Sequence, residues 1–136
     1  MNRRDHTLCA LLLGVTISIC TLSVVPLVLV YVGSNLPDLD AVIFKHRKTL
    51  HNVFSVIIIT CVFYSASHGF WFVGVGMLLH IVLDMCSKSN VFFFYPLSNK
   101  GVGVRGPRNG TLWSTMLSLI ITVLLCWLVV LVSKNI

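Results

Sequence analysis

The sequence predicts an all-α integral membrane protein, a polytopic helical bundle forming a single domain over residues 1–136, with about four apolar helical segments. Of the 136 residues, 57% are hydrophobic and only 10% are charged, and the mean hydropathy is +0.94. A soluble domain carries about 25% charged residues. Apolar runs at 8–32, 53–85 and 112–132 each have the length of a membrane span or more, since crossing the hydrocarbon core takes about 20 residues.

The first apolar run, 8–32, has two interpretations. As one long tilted span it would contain Pro26, which membrane helices tolerate. As a re-entrant hairpin it would bend near Ser23–Pro26 and return to its own side. The charges favour the hairpin, because it places nine of the ten Lys and Arg residues on one side of the membrane. Such residues concentrate in the cytoplasm, so we predict an inner membrane protein with cytoplasmic polar loops.

The other two apolar runs predict three helices. The run 53–85 has 33 residues, too many for one span, and its only polar cluster is "YSASHGF" at 64–70. Because glycine and serine favour a tight turn, we predict helices at about 50–66 and 70–86 joined there. The last run, 112–132, predicts one span.

A polar segment with an unusual composition lies between the first two runs. The chain has four aspartates and no glutamate, and "NLPDLDAVIFKHRKTLHN" at 35–52 holds Asp38 and Asp40. Pro37 is expected to keep this segment out of a helix, and the segment leads directly to His46 and His51. Acidic side chains beside hydrocarbon are costly and tend to be functional.

A second group of the same residue types lies in the predicted helix 70–86. His80 and Asp84 are four residues apart, so a helix places them on one face. Antiparallel packing of the hairpin brings His51 to the same membrane surface as Asp84. Imidazole and carboxylate together suit zinc, manganese or iron, so the sequence predicts a metal site formed by loops at 33–51 and 80–100.

Three motifs together resemble the YdjM-like family of membrane-bound metal-dependent hydrolases, over about residues 5 to 100. The family pattern L-P-D-x-D matches "LPDLD" at 36–40, H-R-G-x-T-H-S matches "HRKTLHN" at 46–52, and H-x3-D-x2-T matches "HIVLDMCS" at 80–87. A histidine that opens the first helix is usual in the family, and His6 matches it.

The resemblance implies hydrolysis, assisted by one or two divalent ions, of a phosphoester or lipid-linked substrate at the membrane surface. Zinc is the expected metal, with manganese as the alternative. The expected metal ligands are His6, Asp38, His51, His80 and Asp84. Catalytic roles are expected for Asp40, His46 and Arg47, an aspartate as general base and an arginine as a phosphate clamp. Arg105 and Arg108 are further candidates for that clamp or for contact with lipid headgroups.

The sequence departs from the family pattern around the expected ligands. Lys48 stands where the family has glycine, Leu50 where it has threonine, Asn52 where it has serine, and Ser87 where it has threonine. Changing residues that orient ligands can cost about 10–100-fold in activity, which leaves a weakly active member open. A fainter similarity links the motif order to zinc-dependent phospholipase C and related nucleases, without their C-terminal histidine-rich motif.

Two non-enzymatic hypotheses remain beside the hydrolase. One is a metal-ion transporter or sensor, although transporters place polar groups near the bilayer midplane and here they gather at one surface. The other is a structural subunit with a relic metal site. The net charge of +6 is scattered along the predicted loops, which argues for membrane lipids and against nucleic acid as partners. The substrate, the metal and the oligomeric state are left open.

Overall fold

The structure is a computed structural model, and it describes residues 3–43, 48–88, 90–104 and 106–135. These ranges contain five α-helices and one 3-10 helix. The α-helices are α1 (Arg3–Thr21), α2 (Val25–Ile43), α3 (Val53–Ala66), α4 (Phe72–Met85) and α5 (Leu112–Ser133). The 3-10 helix His68–Trp71 links α3 to α4. These described ranges contain no β-strand, only an isolated bridge between Val91 and Val102. The predicted all-α class is confirmed.

Helices α1 and α2 form an antiparallel hairpin, so the first apolar run is not one straight helix. The chain turns back close to the predicted bend: α1 ends at Thr21, Leu22 adopts a φ of 51°, and α2 begins at Val25. Pro26 lies in the first turn of α2, where its missing N–H has no helical partner to lose. The backbone N–H of Leu27 donates to the Ser18 hydroxyl at 3.0 Å, which links the two helices beside the turn.

The predicted loop at 33–51 is wrong in its first part, because residues 33–43 belong to α2. Asp38 and Asp40 are therefore helical. Pro37 lies inside this helix, although it lacks the N–H that would bond the carbonyl of Gly33 and disfavours helical backbone at the preceding residue. Likewise, residues 80–85 of the predicted loop 80–100 belong to α4.

Close packing of α2 on α4 explains why the helix continues through Pro37. A methyl group on Gly33 would overlap the carbonyl oxygen of Val73, and one on Gly76 would overlap the carbonyl oxygen of Val30. The contact between the two helices continues past Pro37, where Asp38 Oδ1 of α2 lies 3.8 Å from Nε2 of His80 on α4. The tertiary contact therefore outweighs the local preference, as neighbouring helices often do for proline in membrane helices.

Two described helical stretches are long and apolar enough to cross a membrane, fewer than the four predicted. They are His68–Met85 with 18 residues and Leu112–Ser133 with 22 residues. The predicted helix 50–66 begins only at Val53 and has 14 residues. The run 8–32 is divided between α1 and α2, each of which continues into polar residues. The predicted turn between α3 and α4 is confirmed at 67–71.

Successive helices run in opposite directions. The starts of α1, α3 and α5 therefore lie at the same end of the bundle as the ends of α2 and α4. There, Arg3 at the start of α1 lies beside Asp38 of α2, and Asp5 lies beside Thr115 near the start of α5. At the opposite end, Ser133 of α5 lies beside Cys20 of α1. We call the end of the bundle that contains Arg3 and Asp38 the polar end. It comprises the starts of α1, α3 and α5 and the ends of α2 and α4.

Candidate metal centre

His80 lies at the centre of the polar end, fully buried where α4 meets α2. Its Nδ1 is 2.7 Å from the carbonyl oxygen of Ser34. Because a carbonyl only accepts, Nδ1 carries the ring proton and Nε2 keeps its lone pair. That lone pair has no hydrogen-bond partner among the described residues, and Nε2 lies 3.6 Å from Asp84 Oδ2 and 3.8 Å from Asp38 Oδ1. A backbone carbonyl that fixes one ring nitrogen is typical of metal-binding histidines.

Asp84 lies among three imidazole rings that come from three parts of the chain. Its Oδ1 is 3.1 Å from Nε2 of His6, and its Oδ2 is 3.7 Å from Nε2 of His51. The His6 ring stacks on that of His80 with centroids 3.8 Å apart, and the His51 ring meets His80 edge-on at 5.3 Å. The structure thus brings all five predicted metal ligands together in one buried cluster.

The donor atoms of this cluster are spaced like the ligands of a metal ion. Two overlapping groups, His6–His80–Asp84 and Asp38–His51–His80, each have one donor atom per residue within 4.8 Å of the others. Two ligands on a tetrahedral zinc ion, at about 2.0–2.1 Å each, are about 3.4 Å apart. The separations of 3.1–3.8 Å between these nitrogens and carboxylate oxygens lie close to that value.

Asp40 lies behind His51 and belongs to neither group. It is fully buried, and its Oδ2 accepts a hydrogen bond from the backbone N–H of Leu50 at 2.8 Å. The same oxygen is 3.7 Å from Nδ1 of His51, the nitrogen on the side of the ring away from Asp84. At 3.7 Å the two groups are not hydrogen-bonded. A carboxylate that closes to hydrogen-bonding distance in this position orients an imidazole and raises its basicity as a ligand.

Burial favours the protonation state of His51 that binds metal. Its side chain is 2% exposed. Desolvation, the largest cause, and the neighbouring His80 ring both lower the pKa of His51 from its ordinary value. The neutral imidazole, which is the metal-binding form, is therefore favoured. Neither ring nitrogen has a hydrogen-bond partner within the described part of the chain, and a metal ion would satisfy Nε2.

Two of the predicted catalytic residues, His46 and Arg47, lie outside the described residues, as does Arg105. Arg108 is exposed. Among the described residues, an arginine that the sequence did not single out lies at the cluster: Nε of Arg3 is 3.6 Å from Asp38 Oδ2. In the sequence prediction, Arg3 contributed only to the count of basic residues that sets the membrane orientation. Its position three residues before His6 on a helix predicts that the two side chains share one face.

Two departures from the family pattern keep useful local bonds. Asn52, the N-cap of α3, accepts a hydrogen bond from the backbone N–H of Ser55 at 2.9 Å and donates to the carbonyl of Lys48 at 2.9 Å. Asparagine and serine are both favoured N-caps. The hydroxyl of Ser87 donates to the carbonyl of Asp84 at 2.8 Å. Lys48 does not adopt a positive φ, so its backbone does not require glycine.

The chain matches the family described as YdjM inner membrane protein over residues 1–135. The match therefore includes every described side chain of the cluster. Neither a curated protein nor a solved structure matches the chain. The fainter similarity to zinc-dependent phospholipase C and related nucleases accordingly gains no support.

Proposed function

The chain belongs to the YdjM inner membrane protein family, and we propose that it is a membrane-embedded, metal-dependent hydrolase of phosphoesters. One observation carries the proposal: the unpartnered Nε2 lone pair of His80 faces carboxylate oxygens of Asp38 and Asp84 at 3.8 and 3.6 Å. A lone pair and carboxylate oxygens repel one another unless a cation lies between them. Burying an imidazole nitrogen that has no hydrogen-bond partner costs folding free energy, and a cation bound to it would offset that cost.

His6, His80 and Asp84 would hold one divalent ion, and Asp38 and His51 would complete its coordination, because the one free nitrogen of His80 can bind only one ion. Two or three nitrogens and one or two carboxylate oxygens form a ligand set that suits zinc, with manganese as the alternative. When bound, the ion supplies Lewis acidity at a phosphoryl oxygen and lowers the pKa of water to about 7.

The residues of the chain itself then have separate tasks. Asp38 is 18% exposed at its side chain, whereas those of Asp84 and Asp40 are 4% and 0% exposed. We assign to Asp38 the acceptance of a proton from water. The water oxygen forms a bond to phosphorus and the ester P–O bond breaks. The departing alkoxide takes up the proton that Asp38 accepted, directly or through solvent water, which returns Asp38 to its carboxylate form. Asp40 keeps the His51 ring in place during this exchange.

Arg3 is well placed to hold the substrate phosphate. Its guanidinium lies beside Asp38, and its side chain is 71% exposed at the entrance to the cluster. A guanidinium presents a planar fork of donors that matches two phosphate oxygens. Arg47 remains a second candidate for the same role.

The polar end would face the cytoplasm. Nine of the ten Lys and Arg residues precede α5. Among the described ones, Arg3, Arg4 and Lys88 lie at or next to helix ends that belong to the polar end, in agreement with the enrichment of such residues in cytoplasmic loops. A metal centre at the polar end would lie near the membrane surface, where it would meet phosphoesters carried by lipids. The substrate we propose is therefore lipid-like.

The experiment that tests this function measures metal content and hydrolysis together. We expect the purified protein to retain zinc or manganese and to hydrolyse 4-nitrophenyl phosphate or methyl 4-nitrophenyl phosphate. His80→Ala should remove both metal and turnover, because it deletes a metal ligand. It should also lower thermal stability, because metal binding energy at this site also stabilises the fold. His68→Ala is the matched control, since His68 is exposed in the turn at the opposite end of the bundle.

Other outcomes point to the other hypotheses. Bound metal without hydrolysis of either ester would favour a metal-ion transporter or sensor. Absence of bound metal after zinc and manganese loading would favour a structural subunit with a relic site.

A further inference from the structure

Helix α2 contains a proline on the face that packs against α4. Pro37 lies in the interior of α2, and its side chain is fully buried. Val30 and Gly33 precede it by seven and four residues, so a helix places all three on one face. The backbones of Val30 and Gly33 lie against Gly76 and Val73 of α4. Pro37 therefore faces α4 one helical turn beyond this close contact.

A proline at this position changes the hydrogen bonding of the turn that leads to it, residues 33–37. Pro37 has no N–H, so the carbonyl of Gly33 loses the donor that a regular helix would supply. The proline ring also crowds this carbonyl, and a helix responds by bending, which widens the turn on the side of the proline. Because Pro37 faces α4, the widened side of the turn faces α4 as well.

His80 of α4 donates a hydrogen bond into this turn. Its Nδ1 lies 2.7 Å from the carbonyl oxygen of Ser34, three residues before Pro37. In a regular helix a carbonyl points along the axis toward the N–H four residues later, where a side chain of a neighbouring helix reaches it poorly. In membrane helices, neighbouring helices supply partners where a proline has disturbed this pattern. The partner here is the fully buried ring of His80.

We propose that Pro37 is a positioning residue of the metal centre: it turns the Ser34 carbonyl toward α4, where this carbonyl accepts the Nδ1 proton of His80. The inference rests on the proposed function, in which His80 is a metal ligand, and adds the origin of its orientation. With the proton held on Nδ1, the lone pair of Nε2 is directed at carboxylate oxygens of Asp38 and Asp84, at 3.8 and 3.6 Å. Pro37 acts through Ser34 and His80 and is not itself a ligand.

The place of the proline distinguishes this role from a merely structural one. Proline is the least favourable residue in the interior of a helix, and local rules of this kind are broken most often at functional sites. A proline that served only to bend α2 could lie on any face of the helix. Pro37 lies on the face toward His80, directly before Asp38, another proposed ligand. Its position therefore matches a role in the metal centre.

The first measurement is the zinc affinity of the full chain in detergent. Pro37→Ala restores the N–H and removes the ring, so we expect the affinity to fall by about 10–100-fold, the cost of losing a group that orients a ligand. Pro26→Ala is the matched control, because Pro26 is also fully buried in α2 but lies in the first turn, where no helical carbonyl precedes it. The control should change the affinity by less than about twofold. Pro37→Val, which retains more of the side-chain volume, replaces Pro37→Ala if that variant does not fold.

The second measurement reports the tautomer of His80 and needs neither metal nor turnover. Nitrogen NMR of metal-free protein with isotope-labelled histidine, at a pH at which the rings are neutral, distinguishes the protonated ring nitrogen from the one with a lone pair. His80→Ala identifies the His80 signals by removing them. We expect Nδ1–H alone in the wild-type protein and in Pro26→Ala, and a mixture of both tautomers in Pro37→Ala. A merely structural loss of stability would not change which nitrogen carries the proton.

The proposal fails if the wild-type His80 ring carries its proton on Nε2, or if Pro37→Ala retains either the wild-type tautomer or the zinc affinity measured for the wild-type protein. It also fails if Pro26→Ala reproduces both effects. A wild-type protein that binds no zinc, together with a changed tautomer in Pro37→Ala, would overturn the proposed function and uphold the orientation of His80 by Pro37. The two failures are therefore distinguishable.

Discussion

The two sides of α4 are packed in different ways. Toward α2, the contact is between backbones: a methyl group on Gly76 would overlap the carbonyl oxygen of Val30 and lie 2.7 Å from the backbone N of Ser34. Toward α5, a groove of about 740 Å³ separates the helices. The close side carries the ring of His80 against Ser34, while the open side carries only apolar side chains.

This difference shows that the rigid packing of α4 is confined to the face that carries His80. Side chains that are to converge on one point within a few tenths of an ångström need a rigid contact, which two backbones in van der Waals contact provide. The face toward α5 carries apolar side chains beside an open groove, so it places no such constraint on the position of the backbone.

The largest expected effect on the close side is that of Asp84→Asn. This change keeps the shape of the side chain and removes the charge that lies 3.1 Å from Nε2 of His6. Metal affinity and hydrolysis should fall by more than about 100-fold, beyond the cost of losing a supporting residue. Metal titration and turnover measure this, and Lys88→Ala, an exposed residue four positions later, should change neither. Retained metal and activity would exclude the hydrolase described here.

Gly76→Ala tests the backbone contact itself. The added methyl group must push α2 away from α4, which costs about 1–3 kcal/mol of folding stability by overpacking and moves Ser34 and Asp38 relative to His80. Thermal unfolding and metal titration should both show the loss. Gly69→Ala is the matched control, since a Cβ there has no atom within 4 Å. A Gly76→Ala protein with unchanged metal affinity would show that the close contact does not position the ligands.

Asp40→Asn should have a smaller effect on the metal centre. The amide oxygen still accepts from the backbone N–H of Leu50, but the charge beside Nδ1 of His51 is removed. Metal affinity should fall by about 10–100-fold, while thermal stability without metal changes little. Asn35→Ala on the same helix removes only a side-chain bond to the carbonyl of Tyr31 and should leave metal affinity unchanged. If Asp40→Asn abolishes turnover at full metal occupancy, Asp40 takes part in the reaction directly.

The smallest expected effect is that of removing a hydrogen bond between α1 and α5, on the side of the bundle away from the contact between α2 and α4. The hydroxyl of Thr115 on α5 donates to Asp5 Oδ1 on α1 at 3.0 Å. Thr115→Val should lower stability by about 1–2 kcal/mol, because buried Asp5 loses a donor, and should leave metal affinity as it is. Thr16→Val, whose hydroxyl bonds only within its own helix, is the control in thermal unfolding. A large loss of metal with Thr115→Val would show that α5 also positions the cluster.

Several features were accessible from the sequence because they depend on composition or on short spacing. The scarcity of charge predicted a membrane protein, and the four-residue spacing of His80 and Asp84 predicted their shared helix face. The motif pattern predicted His6 as a member of the same cluster. Local rules failed at Pro37, where they predicted a loop and the packing of α2 on α4 maintains a helix.

The sequence by itself determined the class of the protein, the family and the set of candidate metal ligands, because these follow from residue types and from short spacings along the chain. Only the tertiary structure decided which atoms face one another. The proton on Nδ1 of His80 depends on the carbonyl of Ser34, 46 residues away. The placement of Arg3 beside Asp38, and the groove between α4 and α5, likewise arise from helices that are distant in the chain. Such contacts depend on how helices pack, and no periodicity within one helix encodes its distance from another.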